Sequence, residues 1–435
     1  MHKWNHKLFD LAGHQTTWQR EMMAGTVSFF TIVYVLAVNS AILADAGIPL
    51  AAGNIATVLT AFAGCLLMSL RANVPIVLVP GMGINAMFAF TAVQAMGLTW
   101  QEALAAVFVS GILFTILSYT SLAAKIAESI SESLKEAITV GIGLLLTLIG
   151  LQKGGIVAAS PTTFVTLGNF SDPHVLLTLL TLCIALVLFV RKVPGGFLIT
   201  VIVGTVLSIV TGQTNAANTA SSSFSAADYA SVFAGFSFAG MLKPAFWIAT
   251  FSFTLVVVFE NIGLIHGFLG MLGKEAKFSK ALQANALSVM LAGIFGSSPT
   301  VSTVESAAGI AAGGKTGLTS LVTGSLFLVS LLFLPWIKWI PDSAIAPILI
   351  IIGGLMVQSI QKINLQDFSE GFPAFLIIAL IPLTFSIVDG IAFGFIAYPL
   401  LKVAMGRARE VATPLYVIAG LFLINFALHA LGTAL

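Results

Sequence analysis

Two carboxylates stand in stretches where water is scarce. Glu260 follows an uncharged run from Pro244 to Phe259 and sits in Phe259-Glu-Asn-Ile-Gly263-Leu-Ile-His266. Glu305 follows Gly296-Ser-Ser-Pro299-Thr-Val-Ser-Thr-Val304 and opens the small-residue stretch Ser306 to Gly314. An acid inside an apolar segment is costly and by default marks a substrate or proton path; the alternative is a neutral Glu bonded to a neighbouring helix. A third motif carries no charge: Pro75-Ile-Val-Leu-Val-Pro80-Gly-Met-Gly83-Ile-Asn85-Ala-Met-Phe88-Ala-Phe90. Two prolines and two glycines within nine residues argue against one continuous helix. The β-branched Ile76-Val77 start predicts a short extended piece that turns at Pro80-Gly81 into a half-helix. Asn85 then falls in the first turn, where its amide braces the break or faces a ligand.

Other chemistries are poorly represented. Cys65 and Cys183 lie in apolar runs and form neither a disulfide framework nor a metal site. The six histidines are scattered, with no metal-ligand spacing, so no metal and no cofactor is expected. A net charge of +2 gives no basic face for nucleic acid. No nucleophile with a neighbouring base appears, which argues against an enzyme.

The elements that must position these residues are membrane helices. Of 435 residues 58% are hydrophobic and 8% charged, against about 25% charged in soluble domains. Apolar segments long enough for a hydrocarbon layer fall near 22–44, 51–70, 75–91, 101–121, 136–152, 175–190 and 194–212. After a Ser/Ala-rich stretch come 244–268, 281–298, 300–313, 317–336, 343–358, 372–388 and 389–405. The expected organisation is a cytoplasmic tail (1–21), a first repeat (22–212), an extracellular linker (213–243), a second repeat (244–405) and a C-terminal apolar piece (406–435). The run 413–431 reads as a further crossing, a re-entrant piece or an interfacial helix. No cleavable signal peptide is expected, because the polar first 21 residues lead into a full-length apolar run.

With the N-terminus inside and fourteen alternating crossings, all of the 19 Lys and Arg residues except Lys153, Lys243 and Lys338 fall on the cytoplasmic side, as the positive-inside rule demands. Seven is odd, so the second half enters with opposite orientation. The first segments start 222 residues apart, and the Gly/Pro-rich third and tenth segments lie about 218 apart. Interrupted segments at matching places in an inverted repeat point to a transporter binding site. The dipole of a half-helix would favour an ionised Glu305 at its start. Glu102 and Glu136 read as first-turn acids, and Asp389 as the cap of a helix starting at Gly390.

These motifs resemble the nucleobase:cation symporter-2 family, and within it the AzgA-like purine permease branch. The resemblance rests on Glu21-Met-Met-Ala-Gly-Thr, Pro80 to Phe90, Leu148-Ile-Gly-Leu-Gln152, Val304-Glu-Ser-Ala-Ala-Gly-Ile-Ala-Ala-Gly-Gly-Lys-Thr-Gly317, Asp367-Phe-Ser-Glu-Gly-Phe-Pro-Ala-Phe375 and Gly390-Ile-Ala-Phe-Gly-Phe395. It implies an all-α, 14-segment, 7+7 inverted repeat of uracil-permease type, with short extended pieces in segments 3 and 10. A core domain would carry substrate past a gate domain. It further implies a plasma-membrane symporter, with a homodimer as a possible assembly; the coupling ion is H⁺ or Na⁺, and the buried acids favour H⁺ because they can carry a proton without further ligands. Glu305, Glu260 and Asn85 would hold the base, with Gly83, Phe88, Thr303 and Val304 along the path and Asn261, Ser302 and His266 behind them. Glu260 and Glu305 would carry the coupling proton. The eighth segment departs from the branch, which usually has Phe-Asp-Thr-x-Gly with a further acid three residues upstream. Here Glu260-Asn261 and Val257 stand instead, a pattern closer to the uracil and xanthine branches. Those carriers remain the alternative, beside an anion carrier or a non-transporting receptor on the same architecture.

Overall fold

A computed structural model of the chain describes residues 9–120, 129–160, 162–193, 195–213, 226–333, 336 and 339–432. His2, His6, Lys3, Lys7, Lys125, Lys338 and residues 214–225 of the linker lie outside them. Among the described residues nine helices are long and apolar enough to cross a membrane. Segment 1 is Trp18–Asp45, 2 is Leu50–Ala72, 4 is Trp100–Ser118, 5 is Glu132–Lys153 and 6 is Pro173–Val190. Segment 8 is Pro244–Leu272, 9 is Glu275–Phe295, 12 is Asp342–Lys362 and 14 is Ile387–Ala404. Segments 7 (Gly196–Val210), 11 (Gly317–Ser330) and 13 (Phe368–Thr384) are shorter apolar helices. Segments 3 and 10 are broken, and the whole is a 7+7 repeat.

The breaks take the form the prolines and glycines predict. Segment 3 begins as strand β1 (Leu78–Pro80) and becomes helical from Met82. A hairpin follows in the loop after segment 5, with β2 (Val157–Ser160) paired to β3 (Phe164–Leu167), which the sequence did not announce. Segment 10 begins as β4 (Thr300–Ser302) and continues as the short helix Ser306–Ala311. β1 and β4 pair antiparallel, Val79 opposite Val301, so the two half-helices leave the crossing in opposite directions. Irregular backbone at membrane depth is tolerable only where protein surrounds it, and both strands are buried throughout.

Polar side chains satisfy the crossing and expose its pseudo-symmetry. Asn39 of segment 1 and Asn261 of segment 8 stand 222 positions apart and are both fully buried. Asn39 donates to Thr57 of segment 2 at 2.7 Å; Asn261 accepts from Asn285 of segment 9. Asn261 also accepts the Ser302 amide of β4 at 2.7 Å. The matching position in β1 is Pro80, which has no N–H, and Asn39 bonds the Ser297 and Ser298 hydroxyls instead.

The segments sort into two bundles. Segments 1–4 pack with 8–11: segment 11 lies on 1 and 2, and segment 9 on 2 and 4. Segments 5–7 pack with 12–14, most extensively 12 and 13 on 5. Small residues allow that approach; a Cβ on Gly353 would collide with the Gly143 carbonyl.

Two details differ from the sequence reading. The 13–14 boundary is a left-handed Phe385 (φ 52°) followed by Ser386, whose hydroxyl accepts the Asp389 amide at 3.2 Å. Ser386 therefore caps segment 14, and Asp389 lies in its first turn, because the chain turns three residues earlier than the Asp389-Gly390 pair suggests. The C-terminal run is one unbroken helix, Thr413–Gly432, laid against segment 14. Its Phe422 meets Phe251 and Phe395 edge to face, which sets aside the re-entrant reading.

Candidate functional site

A cavity of about 700 Å³ lies between the bundles, within the roughly 300–1,000 Å³ usual for small-molecule sites. The first bundle contributes the β1 turn (Pro80 to Gly83), Tyr34, the face of segment 8 bearing Glu260, and Val301 to Glu305. The second contributes an apolar wall that includes Ile142, Phe197, Ile352 and Met356. Glu132, Lys135, Glu136, Ser359 and Lys362 form its mouth, at the lysine-rich end of segments 5 and 12.

Segment 8 places Glu260 by helical spacing. Val256, Phe259, Glu260, Gly263 and Leu264 recur at three- and four-residue intervals and line one face. Val257 and Asn261 lie on the other face, buried, with the Asn261 amide donating to the Val257 carbonyl at 2.8 Å. Val257 is thus a packing position outside the cavity lining, and Asn261 spends its oxygen on β4. Of the three departures from the branch pattern, Val257 and Asn261 lie behind the cavity wall and Glu260 stands on it.

Glu305 sits at the turn from β4 into the short helix and accepts a hydrogen bond from the Tyr34 hydroxyl at 2.6 Å. Gly83 faces it across the crossing, and a Cβ there would stand 2.7 Å from Ile142 Cγ2, so the close approach of segments 3 and 5 needs the glycine. Thr303 and Val304 line the same wall, Thr303 nearly buried and Val304 64% exposed.

The structure thus brings together Glu260, Glu305, Gly83, Thr303, Val304 and Ser302 around one space. Asn85 and Phe88 stand apart from it. Asn85 is fully buried and accepts from Ser298, so it braces the break rather than lining the cavity. Phe88 stacks on Phe253 inside the first bundle at 6.5 Å. His266 is exposed and meets the Phe278 ring, since six residues carry it off the Glu260 face. Two lysines, Lys135 and Lys362, line the mouth, and Lys362 pairs with Glu136 at 2.9 Å. Sequence reasoning missed Tyr34 and Phe197, and the only available signal was a phenol inside an apolar run.

Among the described residues no group of three His, Cys, Asp or Glu side chains could hold a metal ion. On the face opposite the mouth, Lys153 at the end of segment 5 pairs with Asp45 of segment 1 at 2.9 Å and lies 3.7 Å from Asp342 of segment 12. That ion pair joins the two bundles at the end of segment 5 away from the mouth.

Comparison with known proteins fits this architecture. The Xan_ur_permease profile, described as "Permease family", matches residues 19–393. The nucleobase transporter PlAzg2 of Paenibacillus larvae is 53% identical over 88% of this chain and 77% of its own length. The guanine/hypoxanthine permease PbuO of Bacillus subtilis is 40% identical over 96% of this chain and 99% of its own. Among solved structures, the transmembrane domain of the cyanobacterial bicarbonate transporter BicA superposes with a TM-score of 0.66 at 17% identity, over 86% of this chain and 97% of that one, a likeness of fold. With a family profile spanning most of the chain and relatives of this identity over most of its length, the protein belongs to the nucleobase:cation symporter-2 permeases, in their AzgA-like branch.

Proposed function

We propose that the protein imports a purine nucleobase (hypoxanthine, guanine or adenine) across the cell membrane by proton symport. The observation that carries the reading is the pair Glu260 and Glu305 in one cavity between two bundles. A purine edge offers adjacent N–H donors in a plane, and a carboxylate accepts two such bonds side by side. The names of PlAzg2 and PbuO support the substrate class. An anion carrier fits less well, since the lining holds Glu132, Glu136, Glu260 and Glu305 against Lys135 and Lys362.

Roles divide by environment. Glu305 is held by Tyr34 and serves as the fixed acceptor of ring N–H groups. Glu260, midway along a long helix with its carboxylate at the cavity, exchanges the coupling proton. Uptake of labelled hypoxanthine, guanine and adenine is expected to collapse with a protonophore. Glu260→Gln is expected to abolish uphill accumulation. Accumulation by that variant equal to wild type would remove Glu260 from the coupling step.

The lysine-rich face is taken as cytoplasmic, so the cavity opens inward and the Asp45–Lys153 pair closes the outside. Alternating access requires that pair to break. Lys153→Met removes an interaction of about 1 kcal/mol for a partly exposed pair, which shifts the population toward the outward-open form about fivefold. Accessibility of a cysteine placed at Val304, which is exposed on the cavity wall, to an impermeant reagent from outside should rise accordingly; unchanged labelling would exclude Lys153 from the closure.

A further inference from the structure

Segment 1 is not one uniform helix: it runs Trp18–Ile32, turns through Val33 and Tyr34, and resumes as Val35–Asp45. Tyr34 projects from that turn and is 3% exposed. Its hydroxyl donates to Glu305 Oε1 at 2.6 Å, a length typical of a charge-assisted O–H···O⁻ bond. A buried phenol needs one partner for its O–H, and here the partner is the candidate substrate ligand of another segment 271 positions away. The ring is also fixed from the other side. Phe197 of segment 7, in the second bundle, meets it edge to face at 5.1 Å and is itself stacked on Phe189. Tyr34, Glu305 and Phe197 all border the same cavity.

We propose that Tyr34 is a positioning residue of the substrate site: its hydroxyl occupies one lone pair of Glu305 Oε1 and fixes the carboxylate plane, so that each oxygen keeps a lone pair for the cavity. The inference rests on the purine reading for its substrate. A carboxylate on a flexible stem must give up rotamer freedom to accept two planar N–H bonds at once. Tyr34 removes that cost before the substrate arrives, which is preorganisation. Because the ring leans on Phe197, the orientation is also tied to the relative position of the two bundles. When the second bundle swings away, Tyr34 loses the support of that ring. Affinity is thereby linked to the inward-facing arrangement through side chains that never touch the proton path at Glu260.

The test is Tyr34→Phe, which deletes one oxygen and keeps the ring against Phe197. Two measurements are made on the full-length protein. In purified protein, the infrared carboxylate stretch of Glu305 is identified as the band lost in Glu305→Gln; it is expected to shift in Tyr34→Phe. In cells, uptake of labelled guanine, hypoxanthine and adenine is expected to show a KM raised about tenfold with Vmax within about twofold, the loss expected for one misdirected charged hydrogen bond. A purely structural role would change the amount of folded carrier, and so Vmax, with KM unmoved. An unshifted band, or an unchanged KM, overturns the proposal. A wild-type protein that takes up none of the three bases overturns the purine reading instead, and the infrared band still judges Tyr34.

Discussion

Glu305→Gln is expected to raise the KM for purine uptake at least about a hundredfold while the carrier still reaches the membrane. The two side chains are nearly isosteric, and Glu305 sits at a turn where its backbone, not its charge, starts the short helix. Folding should therefore tolerate the change. Binding should not. Hydrogen bonds to a charged group are worth about 1.5–3 kcal/mol each, and a planar donor pair uses both oxygens. Gln replaces one acceptor by an NH₂, so one bond becomes a donor-to-donor contact and the other loses its charge. A loss of about 2.7 kcal/mol is a hundredfold in affinity. The Tyr34 hydroxyl sharpens the effect, because it also needs an acceptor and competes for the single remaining oxygen. Uptake kinetics beside surface expression check this. A wild-type KM in the variant would mean that the base is held elsewhere in the cavity.

How far this site was legible follows from what each residue had to do. Glu260 and Glu305 announced themselves because charge in an apolar segment needs a reason. The breaks in segments 3 and 10 were equally plain, since Pro80, Gly81 and Pro299 forbid a continuous helix. Asn85 was ambiguous from the start: a buried amide at a break can serve backbone or ligand, and here it meets Ser298. Phe88 fits either a stacking platform or a core, and only packing on Phe253 decides. The second bundle's wall was illegible because Ile142, Phe197, Ile352 and Met356 look like any lipid-facing residue in sequence. Glu21 shows the opposite hazard. It is a fully buried acid whose carboxylate takes the Lys315 and Thr316 amides and the Thr316 and Thr319 hydroxyls at 2.7–3.1 Å. It ties the Gly-Gly-Lys-Thr-Gly317 turn to segment 1, a structural duty that sequence alone does not separate from function.

The second large effect is on stability and lies at the lysine-rich end of the second bundle. Lys402, only 2% exposed, meets Glu370 and Glu410 at 3.0 Å each and lies 3.9 Å from Asp367. Arg407 pairs with Asp367 and Glu410 at 2.7 Å. Glu370 also accepts from Ser131 at the start of segment 5 and from Tyr398, so the network joins segments 5, 13 and 14. Lys402→Met leaves Glu370 with hydroxyl partners and no cation. Removing one member of a fully buried pair costs about 3–5 kcal/mol; the carboxylates here keep some solvent and Arg407 remains, so about 2–3 kcal/mol is expected. The variant should melt several degrees lower in detergent, and adding Glu370→Gln should recover part of that loss. Acid should act on the same network. Hydrogen bonds from Ser369 and Arg407 hold the Asp367 carboxyl at about 2, and Arg407 and Lys402 hold Glu410 below its ordinary value. Carboxyls lowered in the folded state stabilise it above their ordinary values, and that contribution fades as pH falls through the folded ones. The wild-type melting temperature should therefore drop between about pH 4 and 2, and the gap to Lys402→Met should narrow over the same interval. A gap that stays constant down to pH 2 would show that Lys402 contributes by packing rather than by charge.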